Sequence, residues 1–222
     1  MPGAWTHKQK LLSLVGGGVA LSLIAAFVLT RAVRSAAEPA PADERKWVTV
    51  ERVYRGDAAE VDPDDELVYA GIRAPYKDEP LADRSRQRNA ELVAGRRIRL
   101  RFDKQERDKK GRLVGYAFVE GKLVNEILVR EGLAYARITP DTRRYAEQLL
   151  KAQSEARRAR RGIWKLRPSN EEREYWADPK YGHFHLLTCA ERAKAKPDRI
   201  VTLASSRAAL DRGLAPCGQC RP

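Results

Sequence analysis

The sequence predicts an α+β chain, mainly β: a five-stranded OB-type barrel with about three helices and two attachments. Short apolar–polar alternating runs punctuated by Gly and Asp turns indicate the barrel. An uncharged N-terminal stretch and a Cys/His cluster in the last part of the chain indicate the attachments. The chain has 222 residues, enough for one core domain plus additions, and is 43% hydrophobic. Lys and Arg number 43 against 30 Asp and Glu, a net charge of +13. Such a field attracts polyanions, and by itself it also fits a basic protein kept soluble by its charge.

Residues 1–10 form a short tail. Residues 11–30, LLSLVGGGVALSLIAAFVLT, carry no charge over a length that spans a bilayer core as a helix. Ser35-Ala36-Ala37 is a poor cleavage site, so a retained anchor is favoured over a cleaved signal peptide. The tail with Lys8 and Lys10 stays more easily in the cytoplasm, which puts the rest of the chain on the extracytoplasmic side of a single-pass membrane protein. Residues 31–46, stiffened by Pro39 and Pro41, read as a linker.

From Trp47 the texture changes. WVTVERVY alternates as a half-buried strand should, Gly56-Asp57 turns into a second strand, and Asp62-Pro63-Asp64-Asp65 turns into ELVYAGI. Pro80 and Gly95 bracket a helix over 80–94. RIRLRF (97–102) and LVGYAFV (113–119) supply the fourth and fifth strands, and helices are expected at 123–131 and 141–161. Five strands with helices after the third and fifth fit an OB-type barrel over 47–164. The arginines that end the last helix, Arg157, Arg158, Arg160 and Arg161, read as a solvated face ahead of a phosphate-backbone contact. Trp47 and Trp164 read as packing residues.

The C-terminal unit, 165–222, holds all three cysteines. His185 precedes Cys189 by four residues, and Cys217 and Cys220 form Cys-x-x-Cys. Each half offers two ligands from a short turn, as a tetrahedral Cys3His zinc site requires, and a small unit needs such a staple. The alternatives are a Cys217–Cys220 redox pair or disulfide, with His183 as another fourth ligand. VTLASSRAALDRGL reads as a strand followed by a short helix.

Residues 102–134 carry a resemblance. Phe102-Asp103-Lys104, then Asp108-x-x-Gly111-Arg112, an aromatic strand, and Val124-Asn125-Glu126-x-Leu128-Val129-Arg130-x-Gly132-Leu133-Ala134 resemble the second half of the staphylococcal-nuclease-like (thermonuclease-like) domain. The resemblance implies an OB-type barrel, a DNA or RNA partner, and a site with carboxylates on calcium, a glutamate that activates water, and two arginines on the phosphate. Asp57 matches the first calcium-binding aspartate and Arg112 the second phosphate arginine. Val68 stands where the first arginine is expected, Arg73 replaces the second metal aspartate, and Tyr76 replaces the glutamate. A cation about 4 Å from another costs on the order of 4 kcal/mol at moderate dielectric, so Arg73 opposes calcium and can grip phosphate instead. Tyrosine is no base near neutral pH, and Asp78 and Glu79 are the nearby carboxylates that could stand in. The tail Gly213-x-x-Pro216-Cys217-x-x-Cys220-x-Pro222 is also similar to the end of the metal-binding finger of Ada-type DNA-repair proteins, with histidine in place of one cysteine. These features imply a membrane-anchored protein that binds nucleic acid and has weak or lost hydrolysis. The alternatives are an active metal-dependent nuclease with a rearranged site, or a module that binds a protein or envelope polymer.

Overall fold

The computed structural model describes residues 45–62, 64–166 and 173–222. The apolar run 11–30 lies outside them, and no helix among the described residues is long and apolar enough to cross a membrane. The described residues make one compact unit.

The chain lays down β1 (Arg45–Arg55), β2 (Ala58–Val61), β3 (Asp65–Tyr69), β4 (Ile72–Arg73), α1 (Ala82–Val93), β5 (Arg97–Arg101), β6 (Leu113–Val119), β7 (Lys122–Leu123), α2 (Val124–Arg130), β8 (Tyr135–Ala136) and α3 (Ala146–Arg158). The main sheet runs β3-β2-β1-β5-β6-β7, and β3 also pairs in parallel with β6, closing a five-stranded barrel. β1 is long because it serves two partners. Its first half pairs with β5 and its second half with β2, and two register shifts in the second half bend it between them. Val48, Val50, Leu67, Tyr69, Ile98, Leu100, Leu113 and Ala117 fill the interior from alternate strand positions.

Strand and helix order follow the expectation from sequence, but α3 begins later than residue 141. The Thr139 N–H donates to Thr142 Oγ1 at 3.0 Å, and the Arg144 N–H donates to Asp103 Oδ2 at 2.7 Å. A helix from 141 would return the Arg144 N–H to the residue 140 carbonyl; that donor is committed to Asp103 instead, and regular helix starts at Ala146. Trp164 is buried, as expected, whereas Trp47 is 53% exposed and lies on the barrel's outside.

Residues 173–222 add β9 (Tyr175–Asp178), β10 (His183–Leu186), β11 (Val201–Leu203), α4 (Ser206–Asp211) and β12 (Ala215–Pro216), as a sheet in the order β11-β9-β10-β12. This sheet packs on the barrel. Tyr175, Phe184, Leu210 and Leu214 share a core with Tyr135, Ala156, Ile163 and Trp164. Gln153, 1% exposed on α3, stitches the two parts together: its Oε1 accepts the Ala136 N–H and its Nε2 donates to the Leu210 carbonyl, each at 2.9 Å. Gln153→Leu leaves the Ala136 N–H buried and unmet, while the Leu210 carbonyl keeps the Gly213 N–H. It is expected to cost about 1–3 kcal/mol, read as a lower urea midpoint at unchanged slope.

Candidate functional site

The turn between β1 and β2 is set by Gly56. A Cβ there would lie 1.8 Å from Ser85 Oγ and 2.8 Å from Ala74 Cβ, so only glycine lets α1 and the segment after β4 close over the turn. Asp57 follows, 8% exposed. Its Oδ2 accepts the Ala74 N–H at 3.1 Å, and its Oδ1 lies 3.1 Å from Arg55 Nε, an ion pair whose N–H does not align as a hydrogen bond.

The antiparallel pair β4–β8 sets Arg73 opposite Tyr135 and Ile72 opposite Ala136, which carries Arg137 to the same mouth. The Arg137 N–H donates to the Gly71 carbonyl at 2.8 Å. Its Nε is buried. Burial pushes its pKa below the ordinary arginine value, and so do the cations of Arg73, Arg55 and Arg112, against the opposing pull of Asp57. Arg73 Nη2 donates to Glu79 Oε2 at 2.5 Å, and the same oxygen accepts the Tyr76 N–H at 2.8 Å. Three guanidinium nitrogens at this mouth are buried without a hydrogen-bond partner: Arg55 Nε, Arg73 Nη1 and Arg137 Nε. Buried donors normally find acceptors, so the arrangement is short of an anion.

Glu79 Oε2 is committed to Arg73 and to the Tyr76 backbone, which fixes the carboxylate against the mouth. Tyr76 is 47% exposed, with Arg55 and Lys77 at 5.5 and 5.2 Å from its ring centre. Val68 is buried in the barrel wall. Arg112 is engaged by two carboxylates. Its Nε and Nη2 bond Asp108 Oδ2 at 2.8 and 2.7 Å, and its Nη1 bonds Glu66 Oε1 at 3.1 Å. Asp57 and Arg73 therefore share one mouth with Glu79 and Tyr76, and two arginines, Arg55 and Arg137, join them without having been singled out from sequence. Calcium takes six to eight oxygen ligands, mostly carboxylate and carbonyl. One aspartate already engaged by an arginine and an amide, among further cations, does not supply that set.

The second cluster is the set expected from the cysteine spacing. Ligand atoms of His185, Cys189, Cys217 and Cys220 all lie within 4.8 Å of one another. β10 delivers His185, the turn after it Cys189, and the turn after β12 the last two. The Leu186 and Gln219 N–H groups donate to Cys220 Sγ and Cys217 Sγ, each at 3.4 Å. Trp176 stacks on the His185 ring at 4.2 Å, and His185 Nδ1 is buried without a hydrogen-bond partner. Burial works to raise Cys217, but the His185 ring and two backbone amides outweigh it and bring the thiol down to about 6. Cys220 is pushed up to about 12 by burial and by the neighbouring sulfurs. Three thiols and an imidazole at this spacing can hold a metal ion, and zinc suits them chemically. His183 stands outside the cluster and faces Arg137 and Arg73. Burial and these cations hold its pKa at about 3, so it is neutral.

The two clusters touch. A Cβ on Gly218, inside the Cys217–Cys220 turn, would lie 2.8 Å from Arg73 Nη2. Arg221 Nη2 also reaches Asp78 Oδ2 at 3.8 Å.

Residues 66–166 match the profile described as Staphylococcal nuclease homologue. The thermonuclease of Staphylococcus intermedius is 30% identical over 124 residues, which are 52% of this chain and 74% of that protein. The chain belongs to the staphylococcal nuclease family. Within that family it is also similar to two proteins of Bacillus subtilis. The SPbeta prophage-derived endonuclease YokF is 35% identical over 128 residues, 53% of this chain and 43% of YokF. Endonuclease YncB is 34% identical over 128 residues, 53% of this chain and 61% of YncB. The chain thus spans less than two thirds of either Bacillus relative, and the Cys/His cluster lies beyond the matched profile.

Proposed function

We propose that this member of the nuclease family binds nucleic-acid phosphate at the mouth around Asp57 and hydrolyses it weakly or not at all. The observation that carries the reading is the set of three guanidinium nitrogens without a hydrogen-bond partner, on Arg55, Arg73 and Arg137, beside two carboxylates already engaged, Asp57 and Glu79. A phosphodiester oxygen satisfies such donors and balances their charge. Hydrolysis needs a base and a metal or its equivalent. Tyr76 replaces the base of the family, and Arg73 occupies the second metal carboxylate's place. In this reading the Cys3His cluster holds structural zinc, and residues 11–30 anchor the chain with residues 47–164 and 165–222 on the extracytoplasmic side.

The second reading, an active metal-dependent nuclease, draws support from Arg112, which keeps the family's arginine position and is about a quarter exposed on its side chain.

The test incubates the full chain with labelled single- and double-stranded DNA and RNA, with calcium or with chelator. Retention that falls with salt, is indifferent to chelator and leaves the polymer intact is expected. Arg73→Ala is expected to weaken retention roughly tenfold or more, since it removes a charge-assisted contact. Cleavage lost on chelation and in Asp57→Ala would overturn the reading in favour of the nuclease. Salt-insensitive binding of protein or envelope polymer, with no affinity for nucleic acid, would overturn both.

A further inference from the structure

A second arrangement lies on the outside of the barrel, across β1, β5 and β6. β5 reads Arg97, Ile98, Arg99, Leu100, Arg101. Ile98 and Leu100 are wholly buried, so the two-residue period sends the three arginines to the opposite face. The register sets Trp47 of β1 on one side of Arg99 and Phe118 of β6 on the other. The guanidiniums lie over rings. Arg97 is 5.2 Å from the centre of Trp47, and Arg99 and Arg101 are 5.3 and 5.7 Å from that of Phe118. Tyr145, at the entry to α3, packs edge-on against Phe118 at 5.7 Å, and its hydroxyl accepts from Arg101 Nη1 at 3.0 Å.

Some arginines of this protein find carboxylates, as Arg52 does in Glu60, Arg88 in Glu131 and Arg107 in Asp65, and others, such as Arg84 and Arg160, stand in solvent. Among the described residues Arg97 and Arg99 have none, and Arg99 Nε is buried without an acceptor. Two cations laid against rings beside a half-exposed indole form a surface short of negative charge and of an aromatic partner. A polyanion that also presents free π-faces complements both needs. Single-stranded nucleic acid is such a polymer, whereas a duplex hides its base faces in the stack. The face is separate from the mouth. β1 runs from Trp47 to Arg55, roughly 25 Å at the rise of a strand, which one bound strand several nucleotides long can cover.

We propose that the Trp47–Arg97–Arg99–Phe118 face is a second nucleic-acid site, taking a single-stranded segment with phosphates on Arg97 and Arg99 and a base stacked on Trp47. The proposal rests on the phosphate reading of the mouth for its ligand class alone.

The full chain is titrated, in chelator, with a labelled 12-nucleotide oligothymidylate, a duplex of the same length, and thymidine monophosphate. Trp47→Ala is expected to weaken the 12-mer roughly tenfold, within the range for loss of one stacked base. Arg97→Gln/Arg99→Gln is expected to weaken it similarly and to flatten the salt slope by about 1.4, as for two phosphates on a single strand. Neither should change thymidine monophosphate binding or the melting temperature. Arg73→Ala should weaken the mononucleotide and leave the Trp47→Ala ratio for the 12-mer as it was. If Arg73→Ala is silent while the face variants lose the 12-mer, the mouth reading fails and the face stands. Wild-type affinity for the 12-mer in both face variants overturns the proposal, as does failure of the wild type to bind it. Trp47-dependent binding of phosphatidylserine vesicles in place of the 12-mer overturns it in favour of a membrane surface.

Discussion

Gly132→Ala is expected to destabilise the chain by about 4 kcal/mol, the sum of a left-handed backbone forced on alanine and a steric clash. Gly132 has φ +71°, and a Cβ there would sit 2.3 Å from the Arg161 carbonyl oxygen. The opposing atom is backbone, so no rotamer change relieves the contact. Gly162, with φ +50°, meets it from the other side: its own Cβ would lie 2.1 Å from the Gly132 oxygen. The two glycines let the loop after α2 and the end of α3 touch main chain to main chain, and the Ile163 N–H donates to the Gly132 carbonyl at 2.9 Å. For a unit of this size the loss corresponds to a fall in Tm of roughly 8–16 °C. Gly121→Ala makes the control. Its φ of +77° carries similar backbone strain, but no atom lies within 4 Å of the added Cβ, so the backbone term alone should appear. Equal losses in the two variants would show that the close approach costs nothing.

On the proposed zinc assignment, removing the metal from the Cys3His cluster, by chelation or by Cys217→Ser, is expected to have the other large effect. Structural zinc contributes on the order of 10 kcal/mol to a small finger. Here the ligand turns are held by a small apolar group, Trp176, Cys189 and Cys217 with Ala195, Ile200 and Cys220 against it, and by a few backbone bonds such as that from the Cys217 N–H to the Phe184 carbonyl at 3.0 Å. The shared core of Tyr175, Phe184, Leu210 and Trp164 should persist, so residues 186–200 and 217–222 should lose amide protection while the barrel keeps it. Metal analysis should find about one zinc per wild-type chain and far less in Cys217→Ser. Equal content would remove the zinc assignment. Because Gly218 backs onto Arg73, nucleotide affinity should fall together with protection in the ligand turns.

The barrel strands were legible from short β-branched and apolar runs between turns, with clean alternation in Arg97–Arg101. Leu113–Val119 and Arg97–Arg101 emerge where the pattern places them, and α1 and α2 lie within the expected ranges. The Cys/His cluster was legible because its spacing is local on each side of one long gap. The β9–β10 hairpin was not. Its four β9 residues are all buried, so YWAD shows no alternation. Arg137 was invisible for another reason: ARITP matches no motif, and only the pairing of β4 with β8 sets that guanidinium beside Arg73. Asp57 and Arg112 could be matched by position, but position says nothing of partners. Whether Arg112 faces open water or is held by Asp108 and Glu66 depends on a turn and a strand that meet only in three dimensions. Trp47 reads as packing because tryptophan usually packs, yet its place on β1 turns it outward.

The contact between Gly218 and Arg73 also orders events in time. The barrel closes through β3 and β6 using residues before 120, whereas the Cys217–Cys220 turn reaches Arg73 only once the second sheet has docked. Such long-range contacts form late and slowly. A refolding chain should therefore regain its barrel before the mouth is finished, passing through an intermediate that already has its fold and does not yet have its grip on phosphate.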